Sequence, residues 1–203
     1  MPRFSIIIPA FNAEKRIRKA LDSIKEQTFR DFELIVVCDS CTDETAQVAW
    51  TYGAKVIKEN YHNDGLSRNR GIEEATGDWI LFMDDDDWWL HEYVLWQLNE
   101  KLKEHNESMD VLCFSFIFKG WGYARPDGNR DGHFCAVWNK CWKRTSIGTT
   151  RFPNIPCSSD LHFHQEMFKK NLQIIDWDMP MYYYNYFRPG SISWVQKNGG
   201  LLQ

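Results

Sequence analysis

A chain of 203 residues, 43% hydrophobic and 26% charged, is long enough to build one large domain around a substantial core. Its formal net charge of −4 supplies no basic stripe to neutralise phosphates, which speaks against a nucleic-acid partner. No apolar run approaches the ~18 residues of a membrane-spanning helix, and the N-terminus passes straight into a strand pattern. The expected location is therefore cytoplasmic, with peripheral contact at the inner face of the membrane left open.

In chain order, residues 4–9 are a β-branched apolar run closed by Pro9, which reads as a buried strand and its exit. A loop follows at 10–12, with Asn12 expected as a helix N-cap. Ile17, Ala20, Leu21 and Ile24 then recur at helical spacing as far as Gln27. Residues 32–37 predict a second strand ending at Cys38-Asp39-Ser40. A helix is expected over 42–50, capped by Thr42 and stopped at Gly53, then a short third strand over 54–57. Residues 65–75 predict another helix, closed at Gly77. Next, Trp79 to Met83 form a short apolar run, as expected of a strand buried on both faces of a parallel sheet. A helix is expected over 89–105. Strands alternating with helices at this pace mean βαβ units, an α/β fold with a mostly parallel sheet flanked by helices.

Beyond Asp110 the texture changes. Residues 111–118 predict a long apolar strand, and 119–133, rich in Gly, Asp, Asn and Arg, a hairpin or loop. Strands are expected over 135–138, 172–175 and 180–187, and a helix over 160–170, after a Pro-containing loop at 151–159. With no repeat and no low-complexity linker, 1–203 reads as one domain of two packed halves, 1–109 and a smaller mixed region, 110–203.

The chemistry gathers at strand ends. Four consecutive carboxylates, Asp84 to Asp87, follow the fourth strand, where open α/β sheets place their ligand crevice. Adjacent carboxylates repel one another, so their gathering calls for a cation. Oxygen-only ligands suit Mn²⁺ or Mg²⁺, bridged to substrate phosphates. Phe11, after the first strand, can stack on a base, and Asp39, after the second, can accept from a base N–H. Arg68 and Arg70 put cations beside a helix start, either for an anion or to neutralise the aspartates. Cys38 and Cys41 have the spacing of half a zinc site, but no second half follows. Reduced thiols are the expectation for all six cysteines.

Taken together, Ser5-Ile-Ile-Ile-Pro-Ala-Phe-Asn12, Asp39-Ser-x-x-Asp43-x-Thr45, Gly65-Leu-Ser-Arg-Asn-Arg-Gly71 and Gly77-Asp-Trp-Ile-Leu-Phe-Met-Asp-Asp-Asp-Asp87 resemble successive motifs of the family 2 glycosyltransferases. The resemblance covers nearly the whole chain. It implies the GT-A fold and inverting transfer of a sugar from a nucleotide-diphosphate sugar, with a UDP-sugar the expected donor, to a saccharide or lipid-linked saccharide acceptor. It makes 1–109 the nucleotide-sugar half and 110–203 the acceptor half. It assigns Pro9, Phe11, Asp39, Arg68, Asp84 and Asp85 to the nucleotide sugar, with Phe11 on the base, Asp39 on uracil and Arg68 reaching base or diphosphate. Asp86 would bind the metal directly, with Asp84 assisting between ribose and metal. Arg151-Phe152-Pro153 resembles the stretch before the family's Glu-Asp pair. That pair is here Ser159-Asp160, which places Asp160 as the general base, or else as a helix N-terminal charge.

Other features are ambiguous in the sequence. His162 and His164, two apart on a helix, point ~200° from each other and are expected on the helix surface or the acceptor side. His133 reads as surface. Trp88 and Trp89 are candidates for a sugar platform or for core, and the aromatics over 182–187 read mostly as core. A dinucleotide oxidoreductase is disfavoured because no Gly-x-Gly-x-x-Gly follows the first strand. A nucleotidyltransferase would want a Gly-rich loop there. A non-catalytic nucleotide-sugar or glycan-binding module stays in contention through Ser159.

Overall fold

The computed structural model describes residues 1–119, 122–126 and 136–185. A nine-stranded sheet forms its centre. The strands are β1 (Phe4–Ala10), β2 (Phe32–Asp39), β3 (Lys55–Glu59), β4 (Trp79–Phe82), β5 (Trp88–Trp89), β6 (Val111–Phe118), β7 (Gly122–Ala124), β8 (Lys140–Lys143) and β9 (Ile174–Tyr184). Their spatial order is β3-β2-β1-β4-β8-β6-β9-β5, with β7 pairing β6. The first four in that order are mutually parallel. β8 is antiparallel to both β4 and β6, while β9 is parallel to β6. The expected α/β architecture is thus present: a parallel half joined to a mixed half.

Alternation along each strand explains the layering. Ile6, Ile8, Val36, Trp79 and Leu81 face one side, against α1 (Ile17–Lys25), α2 (Thr45–Thr51) and α4 (Val94–Glu104). Ile7, Ile35, Val37, Ile80 and Phe82 face the other, against α3 (Asp64–Glu74), the short α5 (Arg144–Ile147) and α6 (Ser159–Phe168). Strands covered on both faces read as continuous apolar runs, which is why β1, β2 and β4 stand out in the sequence. α3 presses so closely on β1 that a Cβ on Gly71 would lie 2.3 Å from Ile7 Cγ2.

Several expectations need correction. Asn12 does not cap α1, whose N-cap is Arg16; Asn12 instead adopts φ 44° and its Oδ1 accepts from the Thr42 amide. Thr42 does not cap α2 either; Glu44 is the N-cap, while Asp43 Oδ1 accepts from the Thr45 amide. The helix expected from residue 89 starts only at Val94, because Trp88–Trp89 pair with Tyr183 and Tyr182 as edge strand β5. The strand expected over 135–138 is displaced: 137–139 form a turn, and the strand is Lys140–Lys143. Val137 and Trp138 are buried all the same, so their apolarity reports burial rather than strand. The strand expected over 180–187 is the end of a longer one that begins at Ile174, and residues 186 and 187 lie outside the described residues, as does His133. No described helix is long and apolar enough to cross a membrane.

Candidate active site at the sheet's carboxyl edge

β1, β2 and β4 are parallel, so Ala10, Asp39 and Phe82 deliver their following loops to one edge of the sheet. Pro9 is half-buried near the end of β1, in register with Val37. The next residue but one, Phe11, is 53% exposed, with its ring edge-on to His62 at 6.5 Å between centroids. An aromatic face open to solvent beside a strand end is what a stacked base requires.

Asp39 is placed at that edge but is already heavily engaged. Its Oδ1 accepts from the Tyr61 and His62 amides at 2.7 and 2.9 Å, and Oδ2 from the Asn63 amide at 2.7 Å and Ser67 Oγ at 3.1 Å. Burial would raise its pKa, but these donors hold it below the usual carboxylate value. In this geometry Asp39 organises the loop leading into α3, where the sequence reading gave it to uracil alone. Asn63 then caps α3 by accepting from the Leu66 amide.

Arg68 takes one of its two expected roles. It is buried, and its guanidinium gathers three carboxylates: Nη1 to Asp64 Oδ2 at 2.5 Å, Nη2 to Asp84 Oδ1 at 2.8 Å, and Nη1 to Asp160 Oδ1 at 3.4 Å. The three anions hold the guanidinium charged against its burial. The guanidinium thus neutralises the carboxylate cluster, the second of the two roles expected of it. Arg70 points elsewhere, to Glu59 and Glu74.

The four aspartates diverge in role. Asp84 sits at the turn with Oδ1 on Arg68; burial raises its pKa, opposed by Arg68 and reinforced by Asp86. Asp85, expected on the nucleotide sugar, is engaged in a two-pronged pair with Arg16, which also holds the Phe11 and Asn12 carbonyls. Burial nevertheless pushes its carboxyl up to about 6, with Arg16 opposing. Asp87 is fully buried, accepting from Tyr182 Oη at 2.7 Å and the Asn185 amide at 2.8 Å. Asp86 is half-buried at the apex of the turn. Among the described residues no group of three or more His, Cys, Asp or Glu is arranged to hold a metal by itself. Two oxygen-donor side chains, Asp84 and Asp86, fit a hard cation that takes its remaining ligands from phosphates and water.

α6 brings in the other half. Ser158, at φ 62°, turns the chain into the helix, and Ser159 packs against Gly65, where a Cβ would stand 2.9 Å from Ser159 Cβ. Asp160 follows in the first helical turn. Its side chain keeps 26% of its surface exposed, while Oδ1 is buried with no hydrogen-bond donor. Burial pushes the carboxyl up to about 6, against the pull of Arg68. His164, expected on the surface or acceptor side, is instead buried between Phe168 and Trp142, and burial lowers its pKa to about 3. Trp89 is core. Trp88 stacks on Tyr183 at 4.0 Å under Lys19, so neither offers a free sugar platform. Cys38 and Cys41, the half-site of zinc spacing, are free thiols.

The parts played here by Arg16, Asp64 and the hydroxyl of Tyr182, an aromatic read only as core, are not marked in the sequence. Only the position of Asp64, one turn before Arg68 on α3, carried a local signal for pairing.

Comparison with known proteins fits this geometry. The profile of "Glycosyl transferase family 2" matches residues 5–172. Glycosyltransferase GlyA of Streptococcus pneumoniae is 26% identical over 96% of this chain and 32% of its own length. Among solved structures, Staphylococcus aureus TarS in complex with UDP-GlcNAc superposes with TM-score 0.81 at 24% identity, over 93% of this chain and 60% of that one. Mannosyltransferase PcManGT of Pyrobaculum calidifontis, in complex with GDP-Man and Mn²⁺, superposes with TM-score 0.74 at 17% identity, over 97% and 61%. At these identities the superpositions establish the shared fold. The chain spans about a third to about half of the curated relatives it matches. With the motifs in order, the strand ends assembled and the profile covering most of its length, the chain belongs to glycosyl transferase family 2.

Proposed function

We propose that this chain is the catalytic domain of a metal-dependent, inverting glycosyltransferase. It would move a sugar from a nucleotide-diphosphate sugar, most readily a UDP-sugar, to a hydroxyl of a saccharide or lipid-linked saccharide. The observation that carries the reading is the meeting of Asp84, from the nucleotide half, and Asp160, from the other half, on the single guanidinium of Arg68. The family similarity and the nucleotide-sugar complexes of TarS and PcManGT support it.

In this reading Phe11 stacks on the base, and Asp39 holds the 61–63 loop that frames it. Asp84 and Asp86 would hold Mn²⁺ or Mg²⁺. When bound, such a cation neutralises the diphosphate and favours its departure. Asp160 takes the proton of the acceptor hydroxyl as its oxygen attacks the anomeric carbon from the face opposite the leaving group. Inversion follows from that in-line displacement. A base with pKa near 6 is mostly ionised at neutral pH yet still basic enough to accept a proton in flight. Arg68 keeps Asp160 beside the metal carboxylates without donating a close hydrogen bond to it.

The test is single-turnover transfer from UDP-sugars to saccharide acceptors, alongside nucleotide binding, for wild type and Asp160→Asn. Transfer should fall by ~10²–10⁴-fold with nucleotide affinity nearly unchanged. Undiminished transfer would move the base elsewhere. Tight binding without turnover of any donor by the wild type would instead indicate a binding module.

A further inference from the structure

One guanidinium at this edge has no part in the steps above. Arg16, the N-cap of α1, makes four hydrogen bonds of 2.7 Å. Its Nε and Nη2 donate to Asp85 Oδ1 and Oδ2, Nη1 donates to the Asn12 carbonyl, and Nη2 donates also to the Phe11 carbonyl. Two of the bonds thus grip the acidic turn and two grip consecutive peptides of the β1–α1 loop. The Asp85 side chain is 11% exposed and that of Arg16 27%, so the pair is shielded from water and held more firmly than a surface ion pair.

The placement of the ends matters. Asp85 lies between Asp84 and Asp86, so fixing its side chain fixes the backbone that aims both. The turn is also fastened through Asp84 to Arg68 and through Asp87 to Tyr182 and Asn185, while Arg16 joins it to the carbonyls of Phe11 and Asn12. The β1–α1 loop is tied to the 42–45 segment, through Asn12 Oδ1 to the Thr42 amide and the Ala13 amide to Thr45 Oγ1, and Arg16 ties it to the acidic turn. Asn12 stands in the left-handed region at φ 44°, and the Phe11 ring projects into solvent with only an edge contact to His62.

We propose that Arg16 is a positioning residue of the transferase site. Clamped between Asp85 and the Phe11 and Asn12 carbonyls, it sets the distance between the aromatic that receives the base and the carboxylates that receive the metal-bound diphosphate. A nucleotide diphosphate spans that distance, so its base and its diphosphate bind as one unit only while the clamp holds. This rests on the functional reading above and goes beyond it by assigning Arg16 and Asp85 a role in coupling rather than in contact. An arginine is required because its planar fork can serve a carboxylate and two carbonyls at once, which a lysine ammonium does not match in geometry.

The experiment measures the Mn²⁺ gain: the ratio of nucleotide Kd without and with Mn²⁺, by calorimetry, for whichever of UDP and GDP the wild type binds more tightly. Variants are Arg16→Lys, Arg16→Met, Asp85→Asn and the double variant R16M/D85N, which leaves no buried charge unpaired and so guards against simple misfolding. Thermal midpoints report the fold. A coupling role predicts that the gain falls at least ~5-fold in Arg16→Met, nearly as far in Arg16→Lys, and no further in the double variant than in either parent. Binding of the nucleoside alone, uridine or guanosine, should change little. A folded double variant that keeps the full gain, or that weakens nucleoside and nucleotide equally, overturns the clamp while leaving the transferase reading intact. A wild type with no gain at all overturns the metal reading and the clamp with it.

Discussion

Arg68 and Asp160 approach to 3.4 Å between Nη1 and Oδ1, a distance at which the guanidinium attracts the carboxylate without a short hydrogen bond. Burial raises the carboxyl to about 6 despite that cation. A base must be ionised to act, so transfer should fall about tenfold per pH unit below 6 and level off above it. The pH–rate profile of kcat checks this. Its acid limb should move upward in Arg68→Met, since the cation that favours the ionised form is gone; an unmoved limb would assign it to another group.

Removing Arg68 should also cost stability, because it would leave Asp84, Asp64 and Asp160 facing one another. Breaking a buried ion pair by deleting one partner costs ~3–5 kcal/mol. Urea denaturation at pH 7 should show a loss of that order. The loss should shrink at pH 5, where the raised carboxyl of Asp160 takes up a proton and part of the repulsion disappears.

Asp86→Ala should abolish the rise in nucleotide affinity produced by Mn²⁺ while leaving metal-free affinity close to wild type. Asp86 stands at the apex of the turn, and no ready-made cluster of three donors exists among the described residues to replace it. Calorimetric titration of UDP or GDP with and without Mn²⁺ measures the difference. A retained rise would shift the metal to Asp84 alone.

Tyr182→Phe removes a hydroxyl that donates to the buried Asp87 and accepts from the Asp84 amide. Leaving such groups short of a partner costs ~1–3 kcal/mol. The loss should appear in denaturant unfolding and should be matched by weaker metal-dependent nucleotide binding, since both aspartates belong to the same turn.

Gly65→Ala tests how tightly the halves meet. The added Cβ would lie 2.9 Å from Ser159 Cβ and 3.0 Å from Phe152 Cβ, closer than carbon atoms pack. We expect ~1–3 kcal/mol of destabilisation, by the overpacking mechanism, and slower transfer, because the shift would move Asp160 away from Arg68. Unfolding curves and single-turnover rates measure the two effects separately.

The legible parts of this chain were those written in consecutive residues. β1, β2 and β4 are buried on both faces, so their apolar runs were unbroken, and their polar ends marked the working edge. The placement of Asp84, Asp86, Asp160 and Phe11 at that edge followed from the same pattern and from family resemblance. What stayed hidden was pairing across the fold. Nothing near Asp85 in sequence says that its partner is Arg16, and nothing near Arg68 says that Asp160, 92 positions on, shares its guanidinium with Asp64 and Asp84. β5 was hidden for a similar reason: Trp88 and Trp89 join β9, a strand contributed from far along the chain.

Tyr182, lodged on Asp87, gives the protein a schedule. The acidic turn and its closing hydroxyl are separated by 95 positions, so on a ribosome adding ~5–20 residues per second the turn emerges roughly 5–20 s before that hydroxyl exists. During the wait the parallel strands can pair and Arg16 can reach Asp85, but Asp87 has neither Tyr182 nor the Asn185 amide to accept from. The nascent chain therefore carries a half-built catalytic edge that water must solvate, and its geometry becomes final only when the last described strand is laid down. Maturation of the site therefore waits for β9, although Arg16, Arg68 and the acidic turn are all made well before it.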